Sequence, residues 1–495
     1  MEPMRRVARG SAINLLGAGT SAVANFGLTL LIARNLDRPT AGVFFSVTSL
    51  FLLATSLGQL GTDTGLVYFM SRCRASGNVT LIQRYLHIAV RPVAVVAVAM
   101  GFASFVFAPW VAQHTNPRHI DLGTAYLQVL AIVVPVVAVE QVLLSATRGL
   151  GTMRANALVE QVGRSLLQVA LVGAILALGW PGSLALAWSI PYVPAAVLAW
   201  LWWRRLYAPF RSESQQSQEG ARGVAKSFWA FSVPRALTSI IQVAMQRLDI
   251  VLVGALAGAG YAAIYAAVTR FIVAGQLGGN AISQAAQPRL AEALSKGDGS
   301  VTSHIYQTST AWLILVAWPI YLMFLVFAEP LTLLFGHPYG SGSKVLVLLS
   351  IAMLVATGTG MVDQLLAMAG HTSWNLANAA GSLVVMLSLD IWLIPRHNVM
   401  GAAIGWGAAI MVRNVSALIL VGVSLHLHPV GRATTWAAAT AVFSFLAIPA
   451  VVQGILGLTW HAILFGGATG SILYLLILWR LRHVLQLEGL SLRNG

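Results

Sequence analysis

The feature that most constrains this chain is a succession of apolar stretches, each about 20 residues long, divided by short polar breaks. An α-helix needs about that length to cross the hydrocarbon core of a bilayer. A window of that size finds about fourteen such stretches, among them 42–70, 184–203 and 345–368. A soluble alternative fails on composition. Charged residues make up 9% of the chain and hydrophobic ones 57%, whereas a water-facing surface needs roughly 25% charged residues. The sequence therefore predicts an all-α integral membrane protein.

The formal charge of +15 does not point to nucleic acid. The basic residues form no patch or stripe with interleaved aromatics. They sit in short runs between apolar stretches, as the positive-inside bias demands. Arg5, Arg6 and Arg9 precede the first span, which is too long for a signal-peptide core. Arg72, Arg74, Arg84, Arg148 and Arg154 fall in later loops on the same side, as do Arg480, Arg482 and Arg493. The other side holds little beyond Arg34, Arg38, Arg118, Lys344 and Arg396. Both termini are expected in the cytoplasm. Cys73 is the single cysteine, so neither an intrachain disulfide nor a cysteine metal site is possible.

One hydrophilic linker, 204–227, divides the chain after its sixth span and contains Arg204, Arg205, Arg211, Arg222 and Lys226. The parts on either side resemble each other at an offset of roughly 222 residues. "VEQVLL" at 139–144 matches "VDQLLA" at 362–367, and "ANA" at 155–157 matches "ANA" at 377–379. The expected architecture is two pseudo-symmetric six-helix lobes, 1–203 and 228–425. Residues 426–495 add two extra helices and a cytoplasmic tail.

Ionisable side chains inside a bilayer cost about 2.5–3.5 kcal/mol each on insertion scales, so they need a purpose. Glu160 and Arg164, four residues apart with the acid first, can form a local ion pair. Arg247, Asp249 and Asp390 lie near outer ends of their spans, where interfacial positions are expected. Arg235 follows Pro234 in an inner third, at an expected bend. Arg270 falls near the middle of its span with no acid within a turn, which makes it the leading candidate to hold an anionic head group. Arg164, Arg235 and Arg413 complete the candidate substrate ligands. Glu140 and Asp363 are equivalent under the repeat and, with Asp63 and Asp249, are candidates for coupling-ion binding or gating. Trp110, Trp180, Trp202, Trp203, Trp229, Trp460 and Trp479 fall where an interfacial belt is expected. There is no phosphate-binding loop, His-Glu-x-x-His motif or nucleophile elbow, so neither ATP use nor enzymatic activity is expected.

Several stretches resemble a known family. "LIARNLDRPTAGVF" at 31–44 and "QRLDIVLVGALAGAGYAAIYAAVTR" at 246–270 are similar to the Wzx-type branch of the multidrug/oligosaccharidyl-lipid/polysaccharide flippase superfamily. "QPRLAEAL" at 287–294 and "LIPRHNVMGAAIG" at 393–405 resemble two further family stretches, with Asn398 where a glycine is usual. The resemblance implies an alternating-access flippase in the bacterial inner (cytoplasmic) membrane, with a polyprenyl-pyrophosphate-linked glycan as cargo. It implies membrane lipids as surroundings and a polysaccharide polymerase or glycosyltransferases as partners, with Na⁺ or H⁺ as coupling ion and no cofactor.

Three alternatives stay open. A lipid II flippase of this architecture usually carries charges in its first span, whereas no charge lies between Arg9 and Arg34. A cation-coupled multidrug exporter would favour an acid-rich cavity over interior arginines. An outer-face glycan ligase needs a sizeable outer loop, and the longest here, about residues 328–344, has Glu329 as its only acid.

Overall fold

The computed structural model describes residues 2–76, 80–210, 223–483 and 485, with side chains from residue 13 onward except 285 and 288. Most of the expected linker, including Arg211 and Arg222, lies outside the described residues, as does Arg493. Every regular element among the described residues is helical. Among the same residues, fourteen helical segments are long and apolar enough to cross a membrane, as the spacing of apolar stretches predicts. The chain is a multi-pass membrane protein.

Packing divides it into two compact units, Met1–Ala263 and Ile264–Gly495. The first contains α1 (Ile13–Asn35), α2 (Arg38–Gly58), α3 (Thr80–Val106), α4 (Ile120–Gly149), α5 (Asn156–Ala177), α6 (Pro181–Phe210) and α7 (Val224–Leu256). The next span, α8 (Ala259–Gln284), begins in the first unit and continues in the second. The second unit adds α9 (Gly299–Val326), α10 (His337–Met368), α11 (Thr372–His397), α12 (Val399–Leu425), α13 (Arg432–Leu456) and α14 (Trp460–Arg480).

The packing boundary falls inside α8, after Ala263, so α7 belongs to the first unit. Its seat there is the second span, which is not one helix over 42–70. It breaks between α2 and a separate helix, Thr62–Ala75. Leu60 and Gly61 adopt left-handed backbone, with φ of 52° and 72°. A Cβ on Gly61 would collide with the Ser232 carbonyl and with the Ala236 backbone of α7. Glycine therefore serves both the turn and the close approach. Below the break, Phe228 and Ser232 of α7 fill the space over Gly65. At the other end, Gly42 lies against the Ala259 carbonyl. These contacts seat α7 and the start of α8 against the second span.

Aromatic edges pack the middle of the first unit. Phe44 meets Tyr126 and Trp188 edge-on at centroid distances of 6.1 and 6.2 Å, and Phe51 meets Trp188 at 5.5 Å. The Tyr126 hydroxyl donates to the Pro181 carbonyl at 2.6 Å, so its polar end is satisfied. Pro135 cannot donate to the Ala131 carbonyl, and Gly101 of α3 sits against that carbonyl. Trp203, expected in the interfacial belt, is instead buried and stacked on Tyr207 at 5.5 Å.

In the second unit α9 is central. Its Tyr306 hydroxyl donates to the Thr359 carbonyl and its Leu315 carbonyl accepts from Tyr474 of α14, both at 2.6 Å. The C-terminal helices pack through Ala437, Ala441, Phe445 and Tyr474 onto Ala311, Ile314, Leu315 and Leu322. The tenth span, read from the sequence as continuous over 345–368, breaks into Ser343–Gly358 and Val362–Met368. Gly360 has a φ of 77° and leaves no room for a side chain beside Thr310 and Tyr306.

Candidate functional site

Each unit gathers charged side chains at membrane depth. In the first, α5 opens with a π-helical turn, Asn156–Arg164, before continuing as α-helix. Such turns are rare and often accompany functional positions. The turn presents Glu160 and Arg164, and the spacing-based expectation of an ion pair holds. Arg164 Nε donates to Glu160 Oε2 at 2.8 Å, and its Nη2 lies 2.8 Å from Glu160 Oε1. Nη1 donates to Gln168 Oε1 at 2.7 Å, and Gln168 in turn donates to the Trp188 carbonyl at 2.8 Å. The guanidinium lies 4.8 Å from the centre of the Tyr192 ring. Every edge of this fork is engaged by protein.

Glu140 reaches the same place from α4. It is fully buried, and neither carboxylate oxygen has a hydrogen-bonding partner among the described residues. The charges nearest to it are Glu160 and Arg164. Two carboxyls therefore share one guanidinium that has already committed its bidentate face to Glu160. With both acids ionised the group carries one uncompensated negative charge. Arg247 of α7 lies within electrostatic reach of Tyr192, but Asp249 stands beside it, so that pair adds no net charge.

The second unit solves the same problem differently. Asp363, the repeat equivalent of Glu140, starts the short helix after the Gly360 break. Its Oδ2 lies 2.7 Å from Arg413 Nη2 of α12. Asn375 donates to the Asp363 carbonyl at 3.3 Å, and Asn378 to the Arg413 carbonyl at 2.8 Å. Ser416 donates to Asn378 Oδ1 at 2.6 Å, and Thr359 to Asn414 Oδ1 at 3.1 Å. This group is neutral, one acid with one base. Asp363 Oδ1, Asn375 Oδ1 and Arg413 Nε have no hydrogen-bonding partner, so the pair holds by one contact and keeps polar capacity in reserve.

The remaining expected residues lie elsewhere. Asp63 follows the second-span break, with Oδ1 buried and unpartnered and Arg148 of α4 as a nearby cation. Asp249 is buried rather than interfacial and accepts from the Ile250 N–H at 2.8 Å. Arg235 lies on an exposed face of α7, 3.6 Å from the centre of the Phe231 ring. Arg270 is half-buried midway along α8. Asp390 is likewise buried rather than interfacial, its Oδ1 occupying the space over Gly405 of α12. The engagement of Arg164 through Gln168 and Tyr192, and the polar cluster around Arg413, were not anticipated from sequence.

The family described as polysaccharide biosynthesis protein matches residues 7–294, more than half of the chain. The chain belongs to this family. A second family model, MatE, matches residues 234–392 of this polysaccharide biosynthesis family member. Among curated proteins none is significantly similar in sequence. Solved structures are similar in fold. The lipid II flippase MurJ in an inward closed conformation has a TM-score of 0.74 at 11% identity, over 95% of this chain and 98% of that one. An inward-facing multidrug resistance MATE family transporter of the MOP superfamily has a TM-score of 0.67 at 14% identity, over 84% and 98%. A MOP superfamily transporter from Pyrococcus furiosus has a TM-score of 0.60 at 14% identity, over 86% and 96%. The likeness to these solved transporters is one of fold.

Proposed function

We propose that this protein carries a polyprenyl-pyrophosphate-linked oligosaccharide from the cytoplasmic to the outer leaflet of the bacterial cytoplasmic membrane, by alternating access. The observation that carries the reading is basic charge held at membrane depth in a member of the polysaccharide biosynthesis family. Arg270 follows Thr269 in a helix whose residues Ala262–Val268 are apolar apart from Tyr265. Placing a guanidinium there costs about 2.5–3.5 kcal/mol on insertion scales. A pyrophosphate would add planar, charge-assisted bonds to that guanidinium. Arg413 retains an unused Nε beside Asp363 for the same purpose. Arg164, held on both edges by Glu160 and Gln168, is better suited to positioning the acids around it.

The glycan cannot cross hydrocarbon unaided, whereas its lipid tail can stay in the bilayer. H⁺ or Na⁺ bound at the Glu140 group would supply the charge that the group lacks and reset the cycle. Asp363, Asp63 and Asp249 are the other proposed coupling or gating acids, and a polymerase or glycosyltransferase is the expected recipient of the product. The test is transport by purified protein in liposomes containing a short-chain glycan on polyprenyl pyrophosphate, scored with an impermeant probe. Wild type should transport and Arg270→Ala should not. Equal transport by both removes Arg270 from the head-group site and keeps the flippase. Transport of lipid II alone, or proton-driven dye export with no glycan transport, would replace the reading by the lipid II flippase or the multidrug exporter.

A further inference from the structure

A pocket of about 420 Å³ opens at the end of the first unit where the α1–α2, α3–α4 and α7–α8 connections meet. In the orientation set by the basic loops this is the outer end. Its lining includes Arg38, Arg118 and His119 and, among the described residues, no acidic one. Two acids are near in sequence. Asp37 Oδ2 accepts from the Thr40 N–H at 3.1 Å, capping α2. Asp121 lies in the first turn of α4, exposed and outside the lining.

The pocket floor also contains the start of α8. Gly258, with a φ of 109°, turns the chain into the helix, so the Ala259 and Gly260 N–H groups have no intrahelical acceptor. Ala259 and Gly260 line the same pocket as Arg38, whose Cβ lies 3.7 Å from where a Gly260 side chain would begin. A helix N-terminus beside two guanidiniums favours an anion. Asn116 adds an independent demand. It is 1% exposed, lines the pocket and donates to Thr115 Oγ1 at 3.0 Å. Its Oδ1 is buried without a partner. That oxygen calls for a hydroxyl or amine donor a short distance from the anion. Leu256 and Tyr261, both lining residues, are more than a third exposed and give the pocket an apolar lip. Basic wall, acceptor floor and apolar lip together match a phosphate esterified to a small polyol, carried on hydrocarbon.

We propose that this pocket binds the phosphoglycerol-type headgroup of an anionic membrane lipid at the outer surface. The phosphate lies between Arg38, Arg118 and the α8 N-terminus, a headgroup hydroxyl donates to Asn116 Oδ1, and the acyl chains leave past Leu256 and Tyr261. This assignment is independent of the flippase reading.

Native mass spectrometry of the detergent-purified protein with phosphatidylglycerol or phosphatidylcholine at equal concentration tests it. Wild type should retain phosphatidylglycerol with a preference of about tenfold or more, as charge-assisted bonds imply. Arg118→Glu, an exposed loop change, should reduce retention to the phosphatidylcholine level, and Arg38→Gln should weaken it about tenfold. Phosphatidylglycerol should also raise the melting temperature of wild type more than phosphatidylcholine does, which needs no variant to fold. Equal retention of the two lipids by wild type, or undiminished phosphatidylglycerol retention by Arg118→Glu, overturns the proposal. Inorganic phosphate binding as tightly as the lipid would assign the pocket to the free anion and overturn the lipid assignment.

Discussion

Consider replacing, one at a time, the three charged members of the Glu140 group and measuring stability at a pH where both acids are ionised. Arg164 carries two bonds to Glu160 and one to Gln168. Removing it as Arg164→Gln leaves one buried and one partly buried carboxylate without their bidentate cation. Loss of one partner from a buried pair typically costs about 3–5 kcal/mol, and the second acid places this variant at the upper end. Glu160→Gln breaks a bidentate contact but leaves Arg164 opposite Glu140, so a loss of about 1.5–3 kcal/mol is expected. Glu140→Gln is different in sign. Its carboxylate makes no hydrogen bond, and an amide removes the excess charge while supplying donors to Glu160. That variant should match wild type or exceed it by about 1 kcal/mol. Equilibrium unfolding in mixed micelles of dodecylmaltoside and dodecyl sulfate, followed by far-ultraviolet circular dichroism, gives the ranking. If Glu140→Gln loses as much as Arg164→Gln, then Arg164 depends on Glu140 and the charge count is wrong.

In the second unit, Asp363→Ala and Arg413→Ala should each destabilise more than the double variant Asp363→Leu/Arg413→Met, because single removal strands a partly buried charge; the same micellar unfolding measures it, and additive losses would contradict it. Gly61→Ala should cost about 1–2 kcal/mol from left-handed backbone alone, plus the clash with Ser232 and Ala236. Gly19→Ala, with open space around it, should be neutral or stabilising by thermal melting, and equal effects at the two glycines would refute the close-approach argument.

The spans were legible because apolar length is a local property and the bilayer imposes it everywhere. Glu160 and Arg164 were legible for a similar reason, since four residues on one helix bring them together. Asp363 and Arg413 were not, because 50 residues of chain separate them and only the packing of α10 against α12 closes the distance. Asp390 looked interfacial from its place in the sequence. It is buried because Gly405 on the next helix leaves a hollow for its carboxylate, and no property of α11 alone reveals a hollow in α12. The helix breaks were hidden too. "GQLGTD" at 58–63 and "GTGMVD" at 358–363 contain glycines, but an apolar window passes over them. What forces the turns is contact with Ser232 and Ala236 in one case and Tyr306 and Thr310 in the other.

The unequal charge of the two repeat-related groups has an electrical consequence. A unit charge carried across a membrane potential gains or loses about 2.3 kcal/mol per 100 mV. The Asp363–Arg413 pair moves as a neutral body, so displacement along the field does no net work on it. The Glu140 group, with two acids to one base, does feel the field when empty and becomes invisible to it once a monovalent cation is bound. Of the two groups, only the one in the first unit can make a conformational step voltage-sensitive. Its occupancy decides whether that step registers as a current.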